Sequence, residues 1–221
     1  KPLIFLLLLP ASLLAHGVAV GDQGYIQEIK GTHIFPFMYL GAKHMITGYD
    51  HILFLIGVIF FLYKLKDIGI YVSLFAIGHS STLLLGVFAN LQVNAFLIDA
   101  IIGLSIVYKA LDNMGAYPKW FGVQPNTKVA TLIFGLFHGL GLATKIQEFE
   151  LAPEGLFQNL ISFNIGVEIG QLLALGGILI LMSYWRKTSH YLKSAYSVNV
   201  ILMSLGFMLA GCQIIGFFVI K

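Results

Sequence analysis

The chain has 221 residues, 58% of them hydrophobic and 10% charged. An average soluble domain is about 25% charged, so this composition excludes a water-soluble globular protein. The formal net charge of +3 comes from basic residues dispersed along the chain, which offers no patch for a nucleic acid, and the one cysteine, Cys212, excludes a disulfide framework or a cysteine-rich metal centre.

Lys1, the apolar run Leu3 to Leu9, then Pro10 and the small residue Ala15 have the order of a signal peptide, predicted over residues 1–15. Cleavage there makes His16 the new terminus. A free amine beside an imidazole can chelate a metal, so His16 is a supporting candidate, although an ordinary neighbour of a cleavage site reads the same way. Residues 16–33 are more polar, contain several glycines and form a short external segment. Residues 34–221 are then the transmembrane helical domain.

A helix needs about 20 apolar residues to cross a bilayer. The stretch from Ile34 to Tyr63 is longer than that and has two readings. It is either one long tilted helix, or an interfacial piece from Phe35 to Met45 followed by a helix from about Thr47, with Pro36, Lys43 and Gly48 favouring the second. Five further apolar stretches follow at about 68–90, 95–114, 127–147, 156–184 and 196–220. The expectation is an all-α protein, a polytopic membrane bundle of about six transmembrane helices.

Basic residues gather on the cytoplasmic side of membrane proteins. Lys64 and Lys66 follow the first span, Lys119 and Lys128 precede the fourth, and Arg186, Lys187 and Lys193 follow the fifth. The loops after the second and fourth spans are uncharged or mainly acidic. This alternation predicts a multi-pass protein of the inner (plasma) membrane with both termini outside.

Ionisable groups inside a bilayer are costly and usually face a protein interior. The first span carries His44 and, six residues later, Asp50-His51. In an unbroken helix His44 and His51 share a face; a break at Gly48 instead frees backbone carbonyls as ligands. His79 lies in Gly78-His79-Ser80-Ser81, His138 in Phe137-His138-Gly139, and Asn164, Glu168 and Gln171 repeat at helical spacing in the fifth span. Counted inward along their helices, His79, His138 and Glu168 fall near mid-membrane, with His51 and Asp99 nearer the outer side. His44, Asp50, His51, His79, His138 and Glu168 are therefore the candidate metal residues, with Asn164, Gln171, Asp99 and His16 as support. Imidazole with carboxylate suits a divalent transition metal such as Ni, Co or Zn. Glycines beside His79, His138 and Glu168 let helices approach closely. Asp99, Asp112 and Asn113 read equally well as gate residues or as helix-end polar groups. The aromatic residues are assigned to lipid and interface.

With these motifs the chain resembles the HupE/UreJ family of membrane proteins, associated with nickel or cobalt uptake. The resemblance rests on His44 with Asp50-His51, on Gly78-His79-Ser80, on Phe137-His138-Gly139 and on Asn164 with Glu168, and spans roughly residues 31 to 220. It implies that His44, Asp50, His51 and His138 handle metal, with His79 and Glu168 supporting. The family more often has a glutamate where this chain has Asp99, whose side chain reaches less far.

Three functions follow. The leading one is a permease, in which an ion loses water to His and carboxylate ligands inside the membrane and is not chemically changed. The second is an intramembrane zinc hydrolase, since three histidines, an aspartate and Ser80 or Ser81 are the parts that activate a water. The third is an accessory subunit of a larger membrane assembly. Homo-oligomers and membrane partner subunits stay open; metal ion and lipid bilayer are the expected contacts.

Overall fold

The computed structural model describes residues 30–148 and 153–219. The expected signal segment, and His16 with it, lie outside the described residues. Eight helices form the described chain: α1 (Ile34–Thr47), α2 (Tyr49–Ile59), α3 (Leu65–Phe88), α4 (Ala95–Asn113), α5 (Ala116–Phe121), α6 (Thr127–Gln147), α7 (Leu156–Arg186) and α8 (His190–Val219). Four of them, α3, α6, α7 and α8, are long and apolar enough to cross a membrane. The expected count of about six rests in addition on α4, which carries three charged residues, and on α1 and α2 taken together.

The first apolar stretch is neither one unbroken helix nor a separate piece ending at Met45: helix runs through Met45 to Thr47 before it is interrupted. Only Gly48 leaves the helical region, at φ −71° and ψ 107°, and helix resumes at Tyr49. Its N–H still donates to the His44 carbonyl, and its own carbonyl accepts from the Ile52 N–H. The interruption is thus a kink one residue long. At the other end of the chain, α8 begins at His190 rather than near residue 196, so His190 and Lys193 lie in its first turn and not in a loop. The sequence reading did not anticipate α5, a short helix set between Gly115 and Gly122, both at positive φ (66° and 69°).

Three helix pairs make the bundle, and small residues set each of them. Parallel α1 and α7 pack with Gly166 against the Met38 carbonyl and Gly170 against Ala42. Their register is pinned at one end by Asn159, whose amide donates to the Gly31 carbonyl and whose oxygen accepts from the His33 N–H. At the far end Arg186 donates to the carbonyls of Ile59 and Phe60, so α1 and α2 together run the length of α7. Parallel α3 and α6 meet at Gly78, Gly135 and Gly139, where a side chain would strike the partner backbone. Antiparallel α4 and α8 meet at Gly103 and Gly206, and Asn113 ties their far end by donating to Asn199 Oδ1 (2.9 Å) and to the Gly57 carbonyl (2.9 Å). Without a hydrophobic drive between helices in lipid, such close backbone approach is a main source of packing energy.

Candidate metal centre

The kink at Gly48 puts His44 on the last turn of α1 and Asp50 and His51 on the first turn of α2, all buried. The α3 and α6 pair adds His79 and His138. Their depth matches because Gly139, next to His138, packs on the His79 carbonyl. All four histidines are at most 4% exposed and Asp50 is 8% exposed. His51 is at the centre. Its ring centroid is 5.0 Å from His44, 5.8 Å from His79 and 5.1 Å from His138.

Asp50 lies between two imidazoles: Oδ1 is 3.2 Å from His51 Nδ1 and Oδ2 is 3.8 Å from His138 Nε2. His138 Nδ1 is 2.8 Å from the Phe134 carbonyl. A carbonyl only accepts, so this nitrogen carries a proton, and Nε2 is the ring nitrogen that faces Asp50. Such a backbone contact commonly orients a metal-binding histidine.

Ligand atoms of His44, His51 and His79 lie within 4.8 Å of one another, and so do those of Asp50, His51 and His138. Metal bonds to N and O are about 2.0–2.2 Å long, so two donors on one ion stand at most about 4.4 Å apart. Small side-chain shifts close either triad on an ion. Borderline nitrogen donors with one carboxylate fit Ni, Co, Zn or Cu better than Mg or Ca.

The other expected site residues fall elsewhere. Glu168 is exposed on α7 and is in neither triad. Asn164 and Gln171 turn inward on the same helix, but Glu168 lies about 40° further round from Asn164, at the rim of the buried face. Gln171 donates to the Val72 carbonyl and Asn164 to the Leu160 carbonyl, which leaves Asn164 Oδ1 buried with no hydrogen-bond partner among the described residues. Asp99 is buried but bound to Lys145, with Nζ 2.6 Å from Oδ2. At the other end of α4, Asp112 pairs with Lys109 and accepts from Gln124, while Asn113 bonds α8. These two are inter-element ties.

The sequence reading missed the phenylalanines. Phe75 touches the rings of His51, His79 and His138, at 6.0, 6.1 and 4.9 Å. Phe54 packs on His138 at 5.7 Å and Phe163 on His44 at 6.1 Å. These three are buried at the cluster rather than lipid-facing. Helical spacing was the available signal, since Phe54 is three residues after His51 and Phe75 four before His79. Their rings exclude water, which strengthens every electrostatic contact inside the pocket.

A family model described as HupE / UreJ protein matches residues 20–221, nearly the whole chain. The chain belongs to the HupE/UreJ family. Comparisons with curated proteins and with solved structures return no match. HupE/UreJ proteins are in general associated with nickel and cobalt transport, so this member is a membrane protein of a family that handles transition metals. In this HupE/UreJ chain, the residues that carried the resemblance divide in two. His44, Asp50, His51, His79 and His138 form two triads that share His51, and Glu168 stands apart from them.

Proposed function

We propose that this HupE/UreJ protein moves nickel or cobalt across the membrane through the pocket at the α1–α2 kink. The observation that carries the reading is the convergence of four buried histidines and one aspartate from helices separated in sequence, as two triads that share His51 and are each within reach of a single ion. An ion crossing a bilayer must exchange its water for protein donors, and those donors must be weak enough to let it go. His44, Asp50, His51, His79 and His138 supply the exchange.

A small void of about 10 Å³ adjoins His51 and is lined also by Tyr71, Thr131 and Gln171, room for about one water. Tyr71 OH meets Thr127 Oγ1 at 2.5 Å near the start of α6. The void itself is lined mainly by apolar side chains, among them Met45, Phe54, Val72 and Phe75, and Tyr71 and Thr127 stand towards the basic end of the bundle. That end carries Lys64, Lys66, Lys128, Arg186 and Lys187, which supports an inner-membrane protein whose basic face is cytoplasmic and whose termini lie outside. Protons compete with metal for imidazole nitrogens, so a proton gradient is one means of driving release.

The test is metal accumulation in cells carrying the wild type, His51→Ala or an empty vector, with nickel, cobalt, zinc and copper each supplied. The wild type alone should accumulate nickel or cobalt; equal uptake in all three strains for every metal removes the permease reading. The three-ligand triads, with Ser80 Oγ buried and unpartnered beside His79, favour a metal-dependent hydrolase as second reading. Zinc-dependent ester or peptide cleavage by the purified protein, without accumulation in cells, would select it.

A further inference from the structure

We infer that the pocket is two overlapping three-ligand sites that share His51, and that a single ion alternates between them by exchanging partners around that ring. This rests on the transport reading and specifies how its site works. Among the described residues the donors fall into two triads and no larger set: His44, His51 and His79 form one, Asp50, His51 and His138 the other. His51 is common to both, and its ring meets all three other histidine rings.

Two properties make occupancy alternate. A neutral imidazole offers one lone pair at a time, so His51 serves one ion. The triads also hold a single carboxylate between them, on Asp50, and two divalent ions so close would repel with too little negative charge to compensate. The triads differ in chemistry as well. One is all imidazole, the other two imidazoles and a carboxylate. An ion passing between them keeps His51 and trades two histidines for Asp50 and His138, so it never has to shed all its ligands or recover a full water shell. Five donors closing on one ion would hold it more tightly and release it more slowly, which conduction disfavours.

The test uses the purified full-length protein in detergent with cobalt(II) as the probe, read by equilibrium dialysis and visible d–d absorption. Wild type should bind one cobalt per chain, with a spectrum that changes with temperature through an isosbestic point as the two forms interconvert. His44→Gln with His79→Gln should keep one cobalt through Asp50, His51 and His138. Asp50→Asn with His138→Gln should keep one through the all-imidazole triad. Each double variant should bind within about tenfold of wild type and show a different, temperature-invariant spectrum, and His51→Ala should lose both. Helical content and gel filtration verify that the variants are folded, and the wild-type temperature series decides without any substitution. Two cobalt ions per wild-type chain, a temperature-invariant wild-type spectrum, or a folded double variant that binds none would each overturn alternation and leave transport standing. A wild type that binds no cobalt or nickel overturns both.

Discussion

Asp50 Oδ2 stands 3.8 Å from His138 Nε2, while Oδ1 of the same carboxylate stands 3.2 Å from His51 Nδ1. Asp50 is therefore the one negative donor in either triad, placed by the first turn after the Gly48 kink. Asp50→Asn keeps the size and shape of the side chain and removes its charge. In a His44→Gln, His79→Gln background, where Asp50, His51 and His138 alone are left to hold the ion, it should lower cobalt affinity by about 10–100-fold, with helical content unchanged. Isothermal titration against the His44→Gln, His79→Gln parent checks this, and unaltered affinity would mean that the carboxylate is not a ligand.

Backbone contact between α3 and α6 should matter as much as the ligands. A Cβ on Gly139 would collide with the His79 carbonyl and the Thr82 hydroxyl, which itself donates to the Leu136 carbonyl at 2.6 Å. Gly139→Ala must push the two helices apart, and His79 and His138 ride on them. A cost of about 1–3 kcal/mol is expected from overpacking, together with loss of metal accumulation. Gly176→Ala is the control, because nothing lies within 4 Å of the added carbon. Thermal unfolding in detergent should separate the two; equal midpoints would refute the close-packing account.

Spans and ligands were legible in the sequence to different degrees. Apolar runs located most of the helices to within a few residues, because a long apolar run that crosses a bilayer outside a closed β-barrel must be helical. The His44 to His51 spacing and the two further histidines inside apolar runs stood out, because such residues are rare in a span. Rotation was less legible. Helical spacing put Asn164, Glu168 and Gln171 on one face, but only packing against α1 and α3 decides where the edge of that face falls. Counter-ions were not legible at all: nothing local to Asp99 announces Lys145, which reaches it from another helix. The role of Phe75 was hidden by abundance, since aromatic residues are common throughout this chain.

The Lys145–Asp99 pair makes a prediction of its own. Both side chains are largely buried, at 14% and 5% exposure, and Asp99 Oδ1 has no hydrogen-bond partner among the described residues. Lys145→Met would leave a buried carboxylate without its counter-charge, at a cost of about 3–5 kcal/mol. Lys145→Met with Asp99→Asn removes both charges and should recover most of that loss. A double-mutant cycle on thermal unfolding measures the coupling. If the two single variants simply add, the ion pair contributes nothing.

Glu168 and Asp50 can be set against each other in one assay. Both are carboxylates that sequence reasoning placed with the histidines, yet one is buried inside a triad and the other is exposed on α7. A ligand must come within about 2.2 Å of the ion. Reaching the pocket from the rim of α7 would require that helix to rotate, which would pull Gly166 and Gly170 off the α1 backbone and break the Gln171 bond to Val72. In the His44→Gln, His79→Gln background, Glu168→Gln should therefore leave cobalt affinity within about twofold of its parent, inside ordinary surface-substitution effects of about 0.5 kcal/mol, while Asp50→Asn loses at least about tenfold under the same conditions. Matching losses in the two variants would show that α7 does turn in the metal-bound state, and that the pocket recruits its second carboxylate only when an ion is present.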